Sequence, residues 1–313
     1  MWAYIVRRIF MIIPVMVLVA LIVFSLLYLV PGDAASILAG DLASPEDVER
    51  IREQLNLDEP IYIQFVKWVW SLLHGDLGES VFYQLPVSRL MLQRLQPTLT
   101  LAIGTIIVSV ALSLPAGIIA AFKAGKWADR VTMAFSVLGF SMPIFVVGYL
   151  FIFIFSFKLN WFPIQGYVAL SEGILPWIRS VTLPCLTLGV VYAALIARIT
   201  RATMVEVLTQ DYIRMAYAKG MPLRIVLIRH ALRNAAVPII TIIGLTFVVL
   251  LSGVVVTETV FNIPGIGRLV VDAISQRDYP IIRSVLFVFS WVYVLINLVI
   301  DIIYSLVDPR IQY

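Results

Sequence analysis

Six apolar runs, each long enough to cross the hydrocarbon core of a lipid bilayer, decide what this chain can fold into. They cover residues 10–30, 98–122, 131–157, 181–197, 239–260 and 285–307, and the fourth is the shortest. Crossing about 30 Å of hydrocarbon takes roughly 20 helical residues. Inside lipid each segment must satisfy its own backbone, so the runs are predicted as helices. A barrel would instead show short segments of alternating polarity. Composition agrees: 61% of residues are hydrophobic and 13% charged, where soluble domains lie near half and a quarter. The fold class expected is an all-α integral membrane protein with six transmembrane helices.

Basic residues orient these helices. With the N-terminus inside, Arg7, Arg8, Lys123, Lys126, Arg130, a basic loop at 198–238 and Arg310 all fall on the cytoplasmic side. Acids are concentrated outside, above all between Asp33 and Glu79. This satisfies the positive-inside rule with both termini cytoplasmic. The formal charge of +4 therefore reflects topology and does not point to nucleic acid. The first run follows Arg7 and Arg8 as a signal peptide would, but exceeds the usual apolar region of about 7–15 residues, so it is read as a retained helix. The single cysteine, Cys185, has no partner for a disulfide or metal cluster and reads as a packing residue.

Residues 31–97 form the largest segment outside the membrane. Ser44-Pro45-Glu46-Asp47 has the pattern of a helix start: a hydroxyl cap, proline at the first position and acids in the first turn. Val48, Ile51 and Leu55 then share a face, and the stretch from Asn56 to Pro60 stops the helix. Ile61, Phe65, Trp68 and Leu72 recur at helical spacing beside Tyr62 and Trp70, predicting a second helix at the lipid–water boundary. Gly75 and Gly78 mark a turn. The segment is a small cap, too short for an enzyme domain.

Sites for chemistry are missing from the sequence. It contains no phosphate-binding Gly-x-x-x-x-Gly-Lys-[Ser/Thr] loop, so the chain is not expected to hydrolyse ATP itself. His74 and His230 fall on opposite sides of the membrane and cannot share a metal. Ser141 in Gly139-Phe-Ser-Met-Pro143 has no histidine base in any span, so it is read as part of a proline-kinked helix rather than as a nucleophile. Pro14, Pro115, Pro143, Pro184 and Pro238 lie in or at the ends of spans and bend or start helices. Two acids lie in or near spans, Glu258 and Asp301, each either lining a pathway or making a packing hydrogen bond.

The loop at 198–238 is the most specific feature. Arg198, Arg201, Arg214, Lys219, Arg224, Arg229 and Arg233 face only Glu206 and Asp211 in charge. Asp211-Tyr-Ile-Arg-Met-Ala-Tyr-Ala-Lys-Gly220 followed by Pro222 predicts helix, glycine turn, helix. Tyr212, Met215, Ala216 and Lys219 are expected on one face, and Leu223, Val226 and Leu227 form an apolar stripe on the second helix. Residue chemistry leaves two readings open: a basic hairpin resting on anionic lipid, or a docking knob for a soluble partner.

Across its length the chain resembles the membrane permease subunits of ATP-binding-cassette importers of the dipeptide, oligopeptide and nickel family. The resemblance runs through Arg7-Arg-Ile-Phe10, Val30-Pro-Gly-Asp33, Gly75-Asp-Leu-Gly78, Leu85-Pro-Val87, Asp211 to Gly220, Arg229-His-Ala-Leu-Arg-Asn234, Glu258-Thr-Val-Phe261, Pro264-Gly-Ile-Gly-Arg268, Arg277-Asp-Tyr-Pro280 and Asp308-Pro-Arg310. The wider superfamily's loop begins Glu-Ala-Ala; here Arg214, Met215 and Ala216 occupy those positions, so the glutamate and first alanine are absent. The short N-terminus resembles the first of two permease types. The resemblance implies a type I importer permease fold: a first helix in 1–30, an extracytoplasmic helical segment at 31–97 and a permease core at 98–313. It also implies a second, non-identical permease, two cytoplasmic ATPases carrying ATP and magnesium, and an extracytoplasmic substrate-binding protein. This chain itself would bind no cofactor. Tyr212, Arg214, Ala216, Lys219 and Gly220 would couple the pore to the ATPases. Peptides are the cargo expected, with nickel, glutathione or another small solute as alternatives. An ATP-independent channel or secondary transporter, or a membrane scaffold, are rivals of other classes.

Overall fold

A computed structural model describes residues 2–29, 35, 44–54 and 58–307. Among them every regular element is helical. The motifs at 30–33 and 308–310 lie outside the described residues. In order, the helices are α1 (Trp2–Leu29), α2 (Pro45–Gln54), α3 (Ile61–Leu73), α4 (Val87–Phe122), α5 (Trp127–Ser141) and α6 (Ile144–Phe151), which continues as a π-helix over Ile152–Lys158. After a 3₁₀ turn at Leu170–Glu172 come α7 (Ile174–Leu208), α8 (Asp211–Ala218) and α9 (Leu223–Ile225), the last continuing as a π-helix over Val226–Leu232. The remainder are α10 (Ala236–Val260), α11 (Ile266–Gln276) and α12 (Tyr279–Val307). Two compact units contain them: Met1–Gln96 with Arg268–Leu298, and Pro97–Gly267 with Val299–Tyr313.

α4, α7 and α12 are each long and apolar enough to cross a membrane, and two bent helix pairs, α5 with α6 and the π-continued α9 with α10, meet the same length and hydropathy only when joined. The run at 131–157 breaks into α5 and α6, which meet at 106°. This is sharper than the kink expected from the sequence. Pro143 bars a backbone donor and forces the residue before it out of helical geometry. Met142 is accordingly extended, at φ −83° and ψ 130°.

The run at 181–197 also differs from expectation. Shortest in the sequence, it belongs to a helix of 35 residues, and 78% of that helix's most apolar stretch is buried, against 17% for α12. Hydropathy marks only the part shielded from water. The helix extends beyond the apolar run at both ends, and at its C-terminal end it takes in Arg198 and Arg201, which charge had assigned to a loop. α4 and α7 come close through glycines. A Cβ at Gly104 would stand 2.6 Å from Cys185 Sγ, and one at Gly117 would stand 2.9 Å from the Ala197 carbonyl. Small residues of this kind let membrane helices pack backbone to backbone. Leu101, Leu183, Cys185, Leu188, Leu250 and Val254 join in one core around them.

In the other unit, α2 starts at Pro45 as its sequence predicts. Ser44 Oγ accepts the Asp47 N–H at 3.2 Å and donates to the Asp47 carboxylate at 2.7 Å. That bond holds the Asp47 carboxyl below its ordinary range. The stripe on α3 divides. Phe65 and Trp68 turn inward, with ring centres 5.3 and 5.8 Å from Phe24 of α1. Ile61, Tyr62, Val66, Trp70 and Leu73 stay exposed.

Helix ends repeat one device. α3, α8, α10 and α11 each close with a six-to-one and a five-to-two backbone bond around a residue at positive φ: Gly75, Gly220, Asn262 and Arg277. Arg277 carries the largest steric penalty of the four. Its neighbour Asp278 caps the next helix, accepting Ile281 N–H at 3.4 Å, Phe82 N–H at 3.1 Å and the Ser80 hydroxyl at 2.5 Å.

Candidate functional site

α7 does not stop at the end of its apolar run. It carries on to Leu208, and after Thr209 and Gln210 the chain turns into α8. Gly220 at φ +73° ends α8, with Met221 N–H bonded to Ala216 O at 3.2 Å and Gly220 N–H to Tyr217 O at 2.9 Å. A Cβ at Gly220 would meet nothing within 4 Å. Glycine is needed there for its left-handed backbone, not for space. Pro222, at φ −58°, then starts α9 and its π-helical continuation. The wider π turns set this stretch apart from an ordinary helix, as they often do at functional positions.

The hairpin has two unlike faces. Ile213 and Ala216 point inward and pack with Ala121, Met204, Val226, Ala231, Ala235 and Ile239. Tyr212, Arg214, Met215, Tyr217 and Lys219 point outward, and Met221, Leu223, Ile225 and Ile228 are exposed as well. Exposed apolar side chains rimmed by cations mark a surface that meets another molecule. Of the five residues expected at a coupling surface, the structure puts Tyr212, Arg214, Lys219 and Gly220 on the outside. It turns Ala216 toward the chain's own core, where its small side chain allows α8 to rest against the π-helical segment. Val226, expected in a stripe with Leu223, is likewise buried while Leu223 is exposed. Partial burial raises the Tyr212 phenol pKa above its ordinary value. Arg214 lies 3.4 Å from Asp211, but both side chains are open to solvent and such pairs contribute little.

A half-buried ion pair anchors the base of the hairpin. Arg201 Nε and a terminal nitrogen donate to the two Asp129 oxygens at 2.9 and 2.7 Å. The Gly125 N–H adds a third bond to Asp129 at 2.8 Å. The Asp129 side chain is only 6% exposed. This two-pronged contact ties the α4–α5 turn to the part of α7 that leads into α8. Sequence reading counted Arg201 only among the charges of the basic loop; its separation of 72 positions from Asp129 gave no local signal.

Glu258 is fully buried. Its carboxylate accepts the Thr98 hydroxyl at 2.6 Å, and Thr98 Oγ1 in turn accepts the Ile266 N–H at 2.8 Å. A Cβ at Gly265 would collide with the Glu258 carboxylate, and one at Gly267 would stand 2.8 Å from Val255 Cα. Glu258 and the Pro264-Gly-Ile-Gly267 turn are therefore packed as one block. Asp301 lies in α12, and its side chain is outside the described residues.

Comparison with known proteins fits this arrangement. Residues 113–313 match the family described as binding-protein-dependent transport system inner membrane component, and residues 1–102 match its N-terminal part. The chain belongs to this permease family. It is 50% identical over 313 residues, all of both chains, to a probable peptide ABC transporter permease of Sinorhizobium fredii. It is 42% identical to a putative peptide transport system permease of Brucella abortus, again over the whole of both chains. It is 41% identical to the glutathione transport system permease GsiC of Escherichia coli K12, over 99% of each. In fold it is similar to a chain of the inward-facing MetNI methionine ABC transporter, with TM-score 0.58 and 17% identity over 71% of this chain and 97% of that one. The permease is thus an integral inner-membrane subunit of an importer, as the sequence resemblance implied.

Proposed function

We propose that the permease forms half of the translocation pathway of an ATP-driven importer for short peptides. Its partners are a second, non-identical permease, two cytoplasmic ATP-binding subunits and an extracytoplasmic binding protein. ATP, with magnesium, is bound and hydrolysed on the cytoplasmic subunits. Both termini are cytoplasmic in this reading, so the hairpin of α8 and α9 faces the ATPases.

The observation that carries the proposal is the two-faced hairpin: Ile213 and Ala216 packed into the chain's own core, Tyr212, Met215 and Lys219 left outside. Force applied to the outer face passes directly into α7 and α10 through the Met204–Ile239 cluster. The transporter would alternate between two states biased by ATP on one side and the loaded binding protein on the other. Glu258 and Asp301 are assigned packing or pathway roles, and the buried contacts of Glu258 favour packing for that residue. Peptide cargo is favoured by the two relatives described as peptide permeases, and glutathione, itself a small peptide, by the third.

The test is ATP-dependent uptake of labelled di- and oligopeptides by the complete complex in proteoliposomes, with glutathione as competitor. Uptake of dipeptide, blocked when the ATP-binding subunits are omitted, is the expected result. Uptake by this chain alone, without ATP, would establish an independent channel or transporter instead.

A further inference from the structure

The unit formed by Met1–Gln96 and Arg268–Leu298 contains a cavity of about 700 Å³. That volume lies in the range of small-molecule sites, about 300–1,000 Å³. Its wall carries charges of both signs. The Arg283 guanidinium lies over two aromatic rings, 5.9 Å from the centre of Phe24 and 5.7 Å from Trp68. Lys67 also lines the cavity, its ammonium 2.5 Å from Glu59. Asp76 and Glu79, in the turn between α3 and α4, supply the negative side.

We propose that this cavity holds the headgroup of a phospholipid bearing both a phosphate and a primary ammonium. Arg283 takes the phosphate, and Asp76 and Glu79 take the ammonium. Three observations lead there. An arginine backed by aromatic rings is pre-oriented, and its planar fork suits a phosphate edge. A wall with both charge signs suits a zwitterion better than a simple anion. The third is depth: Phe24 lies five residues before the end of α1, and Arg283 four residues after the start of α12. The cavity is therefore one to one and a half turns from the ends of two membrane helices, at headgroup level. Beside it, α3 exposes Ile61, Tyr62, Val66, Trp70 and Leu73, an apolar face of the kind that lies in the lipid–water boundary. A soluble zwitterion would have no use for that face. The inference requires only the membrane placement of the permease and is independent of its cargo.

The test is lipid retention by the intact transporter complex, moved into nanodiscs of defined composition and counted by native mass spectrometry. Phosphatidylethanolamine, phosphatidylcholine and phosphatidylglycerol serve as probes. Wild type is expected to retain the ethanolamine lipid about tenfold over the choline lipid, the worth of roughly one charge-assisted hydrogen bond. Arg283→Gln should abolish retention of both zwitterionic lipids. The paired Asp76→Asn and Glu79→Gln changes, at exposed positions, should leave retention in place and erase the preference for ethanolamine. Three results would each overturn the proposal: equal retention of all three lipids by wild type, retention unchanged in Arg283→Gln, or displacement of bound lipid by a soluble dipeptide.

Discussion

The segments 211–235 and 258–268 both stood out in the sequence as dense motifs of charge, glycine and proline, yet they use those residues in opposite ways. The first keeps its polar and half of its apolar side chains outside, and its glycine has open space around it. In the second, Glu258 bonds to Thr98, and Gly265 and Gly267 are glycines because the Glu258 carboxylate and Val255 leave no room for a Cβ. One motif is closed within the chain. The other leaves a face open to solvent, which the proposed function assigns to an ATP-binding subunit. A glycine thus means different things in the two places, backbone freedom at Gly220 and close approach at Gly265, and substitutions separate them.

The largest effect is expected at the closed motif. Gly265→Val drives two methyl groups into a buried carboxylate and should destabilise by about 3 kcal/mol or more, read as loss of folded permease from the membrane on detergent extraction and size-exclusion chromatography. Asp129→Ala comes next. It leaves Arg201 facing a gap, at about 2 kcal/mol, less than for a fully buried pair because Arg201 keeps part of its solvent contact. A lowered thermal midpoint of the purified complex would report it. Gly220→Val should cost only about 1–2 kcal/mol, since the strain is confined to the left-handed backbone. Its uptake should nonetheless fall at least about tenfold while ATP hydrolysis continues, because a misplaced hairpin equivalent to about 1.4 kcal/mol of lost coupling already gives that factor. Normal uptake by this variant would erase the contrast between the motifs. Asp211→Asn should be the mildest, within about 0.5 kcal/mol of wild type in stability, as exposed pairs are. A larger shift in its melting profile would mean that the hairpin's outer face is held by charge.

What the sequence disclosed and what it hid follow from range. Membrane runs, the cap at Ser44-Pro45 and the glycine end of α8 are local, each written in a few adjacent residues, and they were legible. The break at Pro143 was legible as a kink, but its angle depends on Met142 extending and α6 packing elsewhere. α7 looked short because hydropathy reports only where a helix is shielded from water, whereas the helix persists wherever its backbone bonds do. Ala216 was placed on the outer side because helical spacing groups it as readily with Tyr212, four residues before it, as with Ile213, three before it; only the packing of the π-helical segment decides. Asp129 with Arg201, Asp278 with Ser80 and Glu258 with Thr98 pair across 72, 198 and 160 positions, distances at which a single sequence carries no pairing signal.

The central claim, that an ATP-hydrolysing subunit presses on the outer face of the α8–α9 hairpin, can be tested by site-directed photocrosslinking in the assembled transporter. The one native cysteine, Cys185, is buried, so a benzophenone maleimide can be placed by single cysteines introduced as Met215→Cys and Ala216→Cys. The account predicts strong crosslinking from position 215 to the ATP-binding subunit, changing with nucleotide, and little from position 216. Crosslinking from position 215 to lipid alone, with no protein adduct in any nucleotide state, would contradict it.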